Sequence, residues 1–149
     1  MMPHILQLFY ALLGSVGFAL LFNIRLKRLL PAALGGVLCW GVYLLLAYAF
    51  SLNTFFSTLG ASLTGALYSE ILARLLKAPT TVFLVPTMIP LIPGSTLFYT
   101  MQALVMNDTE SARFNAVETL LFIGAIALGT TIISIIFAII TSLKKEKRL

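Results

Sequence analysis

Residues 85–96 read VPTMIPLIPGST and lie inside a long apolar run. Pro86, Pro90 and Pro93 each lack an N–H group, and each ring would clash with the carbonyl four residues earlier in a helix. Gly94 allows a backbone conformation that other residues avoid. The stretch therefore predicts a helix that is broken by an unwound turn.

Such a break would expose main-chain polar atoms that a helix normally hides. The three prolines are expected to leave the carbonyls of Val82, Pro86 and Ile89 without helical partners. Ser95 or Thr96 is predicted to cap a second half-helix. The free N–H groups and positive dipole end of that half-helix suit a carboxylate. The freed carbonyls suit an ammonium group, a proton carrier or water.

The composition places the break inside a membrane. The chain has 149 residues, 60% hydrophobic and only 10% charged, whereas soluble domains average about 45–50% and about 25%. This composition excludes an ordinary soluble domain and a disordered chain. A crossing helix needs about 20 apolar residues. The sequence thus predicts a single all-α transmembrane domain over residues 1–149, with about five helices: 5–22, 29–50, 55–72, 80–106 (broken near 90–95) and 117–140.

The fourth segment puts the break near the bilayer midplane, because Gly94 stands at the centre of 80–106. Irregular backbone at that depth is tolerated only where it is buried in protein or lines a cavity. Broken helices at the midplane are typical of the substrate sites of secondary transporters. The alternative is a proline kink that only shapes packing.

Basic residues predict the orientation. Nine of the ten Lys and Arg residues fall on one side if there are five crossings, and only Arg113 falls opposite. The positive-inside rule then puts the N-terminus outside and the C-terminus in the cytoplasm. A re-entrant fourth segment is the rival, and it would send the basic tail outside. The nine residues are Arg25, Lys27, Arg28, Arg74, Lys77, Lys144, Lys145, Lys147 and Arg148.

The run PTMIPLIPGS at 86–95, followed by Phe98-Tyr99 and an acidic loop at Asn107-Asp108, resembles the threonine/serine exporter family. The chain is most similar in length and segment pattern to the small subunit of the split, two-protein form. The resemblance implies a bacterial inner-membrane carrier that exports threonine and serine, or a dicarboxylate such as succinate. It also implies a larger membrane subunit as partner.

The candidate substrate-binding residues are those of the proline motif and its polar neighbours. Glu70 is a candidate for proton coupling, and an ion pair with Arg74 one helical turn later is its alternative. Glu118 offers the same choice. The substrate-binding candidates are Thr87, Pro90, Pro93, Gly94, Ser95, Thr96 and Tyr99.

The leading hypothesis is a subunit of a secondary exporter in the lipid bilayer. A non-transporting membrane scaffold is the alternative, since small residues at Ala61, Gly65 and Ser69 and at Ala125 and Gly129 predict helix-packing faces. Nucleotide, dinucleotide and protease motifs are missing from the sequence. An enzyme, a cofactor, a metal site and a nucleic-acid partner are therefore not expected.

Overall fold

The computed structural model describes residues 4–146, with side chains through Leu143. The described part of the chain contains helices and no strand, which confirms an all-α membrane protein. A π-helical turn, Leu45–Ala49, extends α2, and a 3₁₀ turn, Ile89–Leu91, extends α4. Lys147 and Arg148 of the predicted basic tail lie outside the described residues, as do the side chains of Lys144 and Lys145. The helices are α1 His4–Leu21, α2 Leu26–Leu44, α3 Thr54–Leu75, α4 Thr81–Met88, α5 Gly94–Val105 and α6 Thr109–Glu146.

The connections are short because left-handed residues end the helices abruptly. Asn23, Lys77 and Asn107 have φ of 53°, 47° and 57°. At each, the following N–H bonds back to a carbonyl five residues earlier, as Ile24 does to Ala19 at 3.0 Å. This is the Schellman pattern, which satisfies carbonyls that a helix end leaves open. Successive helices therefore fold back as neighbours.

Helix α3 lies at the centre of the bundle and packs against α2, α4 and α6. Helices α2 and α3 are antiparallel, since Cys39 meets Ala61 and Tyr68 reaches back to Pro31. Helices α3 and α6 are parallel, because Ser62 bonds to Ala125 and Arg74, three turns later, lies by Thr141. The chain thus passes along α3 and α6 in the same direction.

Three helical stretches in the described chain are long and apolar enough to cross a membrane by themselves: His4–Leu21, Leu26–Ala49 and Thr109–Leu143. The bent pair Thr81–Leu91 and Gly94–Val105 makes a fourth if it counts as one span. Helix α3 falls short because it carries many serines and threonines. Its neighbours bury these hydroxyls, so they are not presented to lipid. The count of five crossings remains a prediction.

Small residues bring the helices close together, as the sequence predicts. Ala61, Gly65 and Ser69 are all buried on α3. A Cβ atom on Gly129 of α6 would overlap the Ser62 hydroxyl, and one on Gly65 would lie 2.9 Å from Cys39 Sγ. Side chains larger than hydrogen at these two positions would push the helices apart.

The predicted break in the fourth segment is confirmed. Helix α4 ends at Met88, and α5 begins at Gly94 with its axis turned by 52°. Met88 and Leu91 belong to a buried cluster with Ala61 and Ala66, which are close to the middle of α3. The break therefore lies at mid-height of the bundle.

Candidate functional site

The inner side of the break is closed by protein contacts. The Ser15 hydroxyl donates to the carbonyl of Pro86 over 2.9 Å, and the Ile92 N–H donates to the carbonyl of Ile89 over 3.2 Å. The expectation that these two carbonyls are free for a solute is therefore wrong. Both found partners because α1 and the 3₁₀ turn approach the break closely. The third carbonyl belongs to Val82, a residue that lines a cleft of about 260 Å³.

The start of α5 differs from the prediction in two respects. Pro93, with φ −78° and ψ 58°, precedes the helix, and no side-chain hydrogen bond caps it, so the expected cap by Ser95 or Thr96 is wrong. The Gly94 N–H bonds to the Ile92 carbonyl over 2.8 Å, which makes an inverse γ-turn centred on Pro93. Gly94 has no positive φ, because Pro93 makes the turn in its place.

The first turn of α5 presents polar main-chain atoms at the surface of the chain. Gly94 and Ser95 are exposed. A Cβ atom on Gly94 would meet no atom within 4 Å. Among residues 4–146, no backbone carbonyl accepts from the N–H groups of Ser95 and Thr96. These groups form the positive end of the α5 dipole.

A pair of hydroxyls joins α5 to α6 next to these N–H groups. The Oγ1 atoms of Thr96 and Thr119 are 2.8 Å apart, and Thr96 Oγ1 also lies 3.2 Å from the Pro93 carbonyl. Thr119 Oγ1 contacts the carbonyl of Asn115 at 2.8 Å. The sequence reasoning missed Ser15 and Thr119. For Ser15, a serine within a glycine-rich turn of α1 is a weak sequence signal that another helix approaches closely. For Thr119 the sequence carries no such signal.

The predicted substrate-binding residues do not share one cavity. Thr87 is fully buried against α2 and α3, and its hydroxyl has no hydrogen-bond partner among the described residues. Pro90 lines a cleft of about 320 Å³ beside α1, and Pro93 lines an apolar one of similar size against α6. Tyr99 lines a polar cleft of about 330 Å³ with Asp108. Of the candidates, Pro93, Gly94, Ser95 and Thr96 are consecutive and lie together at the start of α5.

The candidate acid Glu70 lies on α3, away from the start of α5, whereas Glu118 directly precedes Thr119 on α6. Glu70 pairs with Arg74, so the ion pair foreseen between them is present. Asp108 accepts from the Ser111 N–H over 3.1 Å at the start of α6. The hydrogen bonds from the Ser111 side chain and backbone hold the pKa of Asp108 below its ordinary value.

Comparison with known proteins identifies the kind of chain to which this arrangement belongs. A family model described as threonine/serine exporter, ThrE, matches residues 7–136. The chain belongs to the threonine/serine exporter family. The family is one of membrane transporters, in agreement with the resemblance carried by the proline motif. Searches of the curated proteins and of the solved structures found no match.

Proposed function

We propose that this chain is the small subunit of a split threonine/serine exporter. A larger membrane subunit of the same family completes the solute path along the break between α4 and α5. The assembly lies in a bacterial inner membrane, with the N-terminus of this chain outside. The family match over residues 7–136 supports the transport class, and the geometry of the break supports the partner.

The observation that carries the proposal is polar backbone at mid-height on an uncovered surface. Gly94 and Ser95 are exposed, and the N–H groups of Ser95 and Thr96 have no backbone acceptor in the described chain. In hydrocarbon each unsatisfied group costs several kcal/mol, so such backbone is stable only beneath protein or beside water. A partner that covers α5 and leaves a wet path meets both requirements.

The chemistry of this surface suits a small carboxylate. The N–H groups at the start of α5 bind the carboxylate, with the Ser95 and Thr96 hydroxyls beside them. Pro90, Pro93 and Gly94 hold the backbone open there. Tyr99 stands one turn further along α5. The Thr87 hydroxyl is buried behind the break, so it reaches the solute only when α4 moves away from α2.

The helix directions support a fourth segment that crosses the membrane. Helices α3 and α6 run parallel. Two spans that run in the same direction need an odd number of crossings between them, and α4–α5 counted as one broken span gives that single return. A re-entrant fourth segment would make α6 antiparallel to α3. Transport is secondary in this scheme, and Glu70 is its candidate proton carrier unless it binds the solute instead.

Replacing Gly94 by Trp tests the path. Its Cβ atom would meet no atom of the described chain within 4 Å, and the indole ring would obstruct a solute passing the start of α5. We expect efflux of loaded threonine and serine to fall about tenfold or more in cells that make both subunits, with succinate measured in parallel. Gly17→Trp is the matched control, since a Cβ atom on Gly17 also meets no neighbour within 4 Å. Unchanged efflux by Gly94→Trp at normal expression would refute the proposal.

Accessibility separates the transporter from a scaffold. Cys39 is buried, so a Ser95→Cys variant carries one reactive thiol. In the assembled complex we expect a polar thiol reagent to label it. The Glu110→Cys variant, at an exposed position, is the control and should react. If residue 95 does not react while residue 110 does, protein fills the break, which favours a scaffold.

A further inference from the structure

A second polar site lies between α3 and α6, away from the break. Glu70 and Arg74 stand five and nine residues after Gly65, which packs on Met88 of α4. At 1.5 Å per residue, they lie roughly 8 and 14 Å from mid-height, toward the end of the bundle where α3 ends. The cleft there has a volume of about 360 Å³ and is lined by Glu70, Arg74, Ser134, Phe137, Ala138, Thr141 and Ser142.

The guanidinium group of Arg74 is held in a fixed position in this cleft. Its Nη1 atom donates to the Glu70 carbonyl over 2.9 Å and pairs with the Glu70 carboxylate. Its Nη2 atom lies 3.4 Å from Thr141 Oγ1, and its central carbon lies 4.2 Å from the centre of the Phe137 ring. Contacts from α3 and α6 together therefore orient the cation, although its side chain is 45% exposed.

The ion pair leaves a free acceptor on Glu70 and free donors on Arg74, and both residues line the same cleft. Glu70 uses its Oε2 atom for Arg74, and its Oε1 atom accepts no hydrogen bond from the described residues. Arg74 carries five N–H donors, of which its observed contacts use only part. A carboxylate acceptor beside a guanidinium donor complements an ammonium and a carboxylate held one carbon apart. That pair of groups is the zwitterion of an α-amino acid.

The other side chains of the cleft suit a hydroxyl-bearing ligand. Ser134, Thr141 and Ser142 line it with hydroxyls, and its volume is within the range of small-molecule sites, about 300–1,000 Å³. A dicarboxylate fits less well, because among the lining residues whose side chains the structure describes Arg74 is the one cation, and Glu70 repels a second carboxylate.

We propose that this cleft is a recognition site for zwitterionic hydroxy amino acids, ahead of the path at the break. Glu70 binds the ammonium group, Arg74 binds the carboxylate, and the hydroxyls of α6 contact the side chain of the solute. The inference rests on the proposed function for the orientation of the chain in the membrane. The cleft lies on the cytoplasmic side if the N-terminus is outside. With this site, the small subunit itself selects an amino acid over a dicarboxylate.

Binding of radiolabelled threonine to the purified two-subunit complex tests the site. We expect Glu70→Gln and Arg74→Gln each to weaken binding about tenfold or more, while Glu110→Gln, the same change at an exposed acid, leaves it unaltered. Arg74→Lys keeps the ion pair but loses the planar donor fork, so recovery should be partial at most. Full recovery by Arg74→Lys would show a merely structural ion pair and overturn the inference.

Competing ligands identify the groups involved. Because 3-hydroxybutyrate lacks the ammonium group, it should displace threonine poorly from the unmodified complex. In the Glu70→Gln variant, the difference in affinity between threonine and 3-hydroxybutyrate should be smaller. If the Gln variants unfold in a melting assay, the Thr141→Val variant, which keeps the ion pair, tests the site instead. We expect it to reduce the ratio of the affinity for threonine to that for 2-aminobutyrate, which lacks the hydroxyl. An unchanged preference there overturns the inference.

The outcomes separate the two proposals. Threonine binding that Gly94→Trp abolishes but Glu70→Gln leaves intact overturns the recognition site and supports the path at the break. No threonine binding by the unmodified complex overturns both. A loss of proton-driven export in Glu70→Gln with normal threonine affinity assigns Glu70 to proton coupling and overturns its role in recognition.

Discussion

At the scale of single residues, a proline and a distant serine share one structural task. Pro90 has no N–H group to offer to the carbonyl of Pro86, and the Ser15 hydroxyl donates to that carbonyl from 71 positions away in the sequence. A Cβ atom on Gly36 would overlap the Ser15 hydroxyl, so the glycine provides the space for this contact. The break is thus closed on its inner side by α1.

A double-mutant cycle tests this substitution of one donor for another. Ser15→Ala leaves a buried carbonyl without its partner and should lower the free energy of unfolding by about 1–3 kcal/mol. In a Pro90→Ala background, residue 90 regains an N–H donor, so the loss from Ser15→Ala should be smaller. Thermal and denaturant unfolding in detergent would measure both. An equal loss in the two backgrounds would contradict the proposed exchange.

The chemistry of proline made the place of the break predictable, and the same reasoning failed for its details. Which carbonyls stay free depends on side chains from other helices, as with Ser15, and helix-based spacing carries no information about them. Gly94 was expected to make the turn. Pro93 makes it instead, because the inverse γ-turn requires only negative φ.

At the scale of helices, the apolar segments located every described helix, while their ends depended on local polar contacts. Helix α6 begins at Thr109, whereas the apolar segment begins at residue 117. A hydropathy window detects only the part of a helix that suits lipid. The first turns of α6 are polar and form because Asp108 accepts from the Ser111 N–H.

The start of α6 should therefore respond to acid. Hydrogen bonds from Ser111 lower the pKa of Asp108 in the folded chain. The ionised carboxylate therefore stabilises the helix start above the ordinary Asp pKa of about 3.9, and this contribution disappears as the pH falls through the lowered value. Amide exchange at Thr109–Ala112, corrected for its intrinsic rate, should accelerate below about pH 4.

Two variants check the origin of that acceleration. Asp108→Asn keeps an acceptor that does not ionise, so its exchange should show no such pH step. Glu110→Gln removes a neighbouring acid that does not accept from Ser111 and should keep the step. A step that persists in Asp108→Asn would assign the effect to another group.

At the scale of the whole molecule, the directions of α3 and α6 carry information that hydropathy lacks. Five apolar segments with one-sided basic charge predicted five crossings, and a re-entrant fourth segment was the rival. The contacts of Ser62 and Arg74 with α6 require the two helices to run in parallel. The distribution of the predicted site over several clefts could not be foreseen, because it depends on how each half-helix is rotated against its neighbours.

Labelling of intact cells would test the five-crossing arrangement. With Cys39 replaced by Ala, single cysteines at Asn53 and Glu110 should react with an impermeant reagent from outside, and one at Lys27 should not. All three positions are exposed in the structure. A re-entrant fourth segment predicts that position 110 shares the behaviour of position 27.

The bend at Ile92–Pro93 joins two arms that are held very differently. Helix α4 packs closely against α2 and α3, where glycines of these two helices contact Pro86 and Thr87. Helix α5 packs chiefly against α6. A 12-residue arm is about 18 Å long, so a tilt of about 20° at its root would move its tip by roughly 6 Å. Small adjustments at the pivot are thereby magnified at the far surface, while the clamped arm remains stationary.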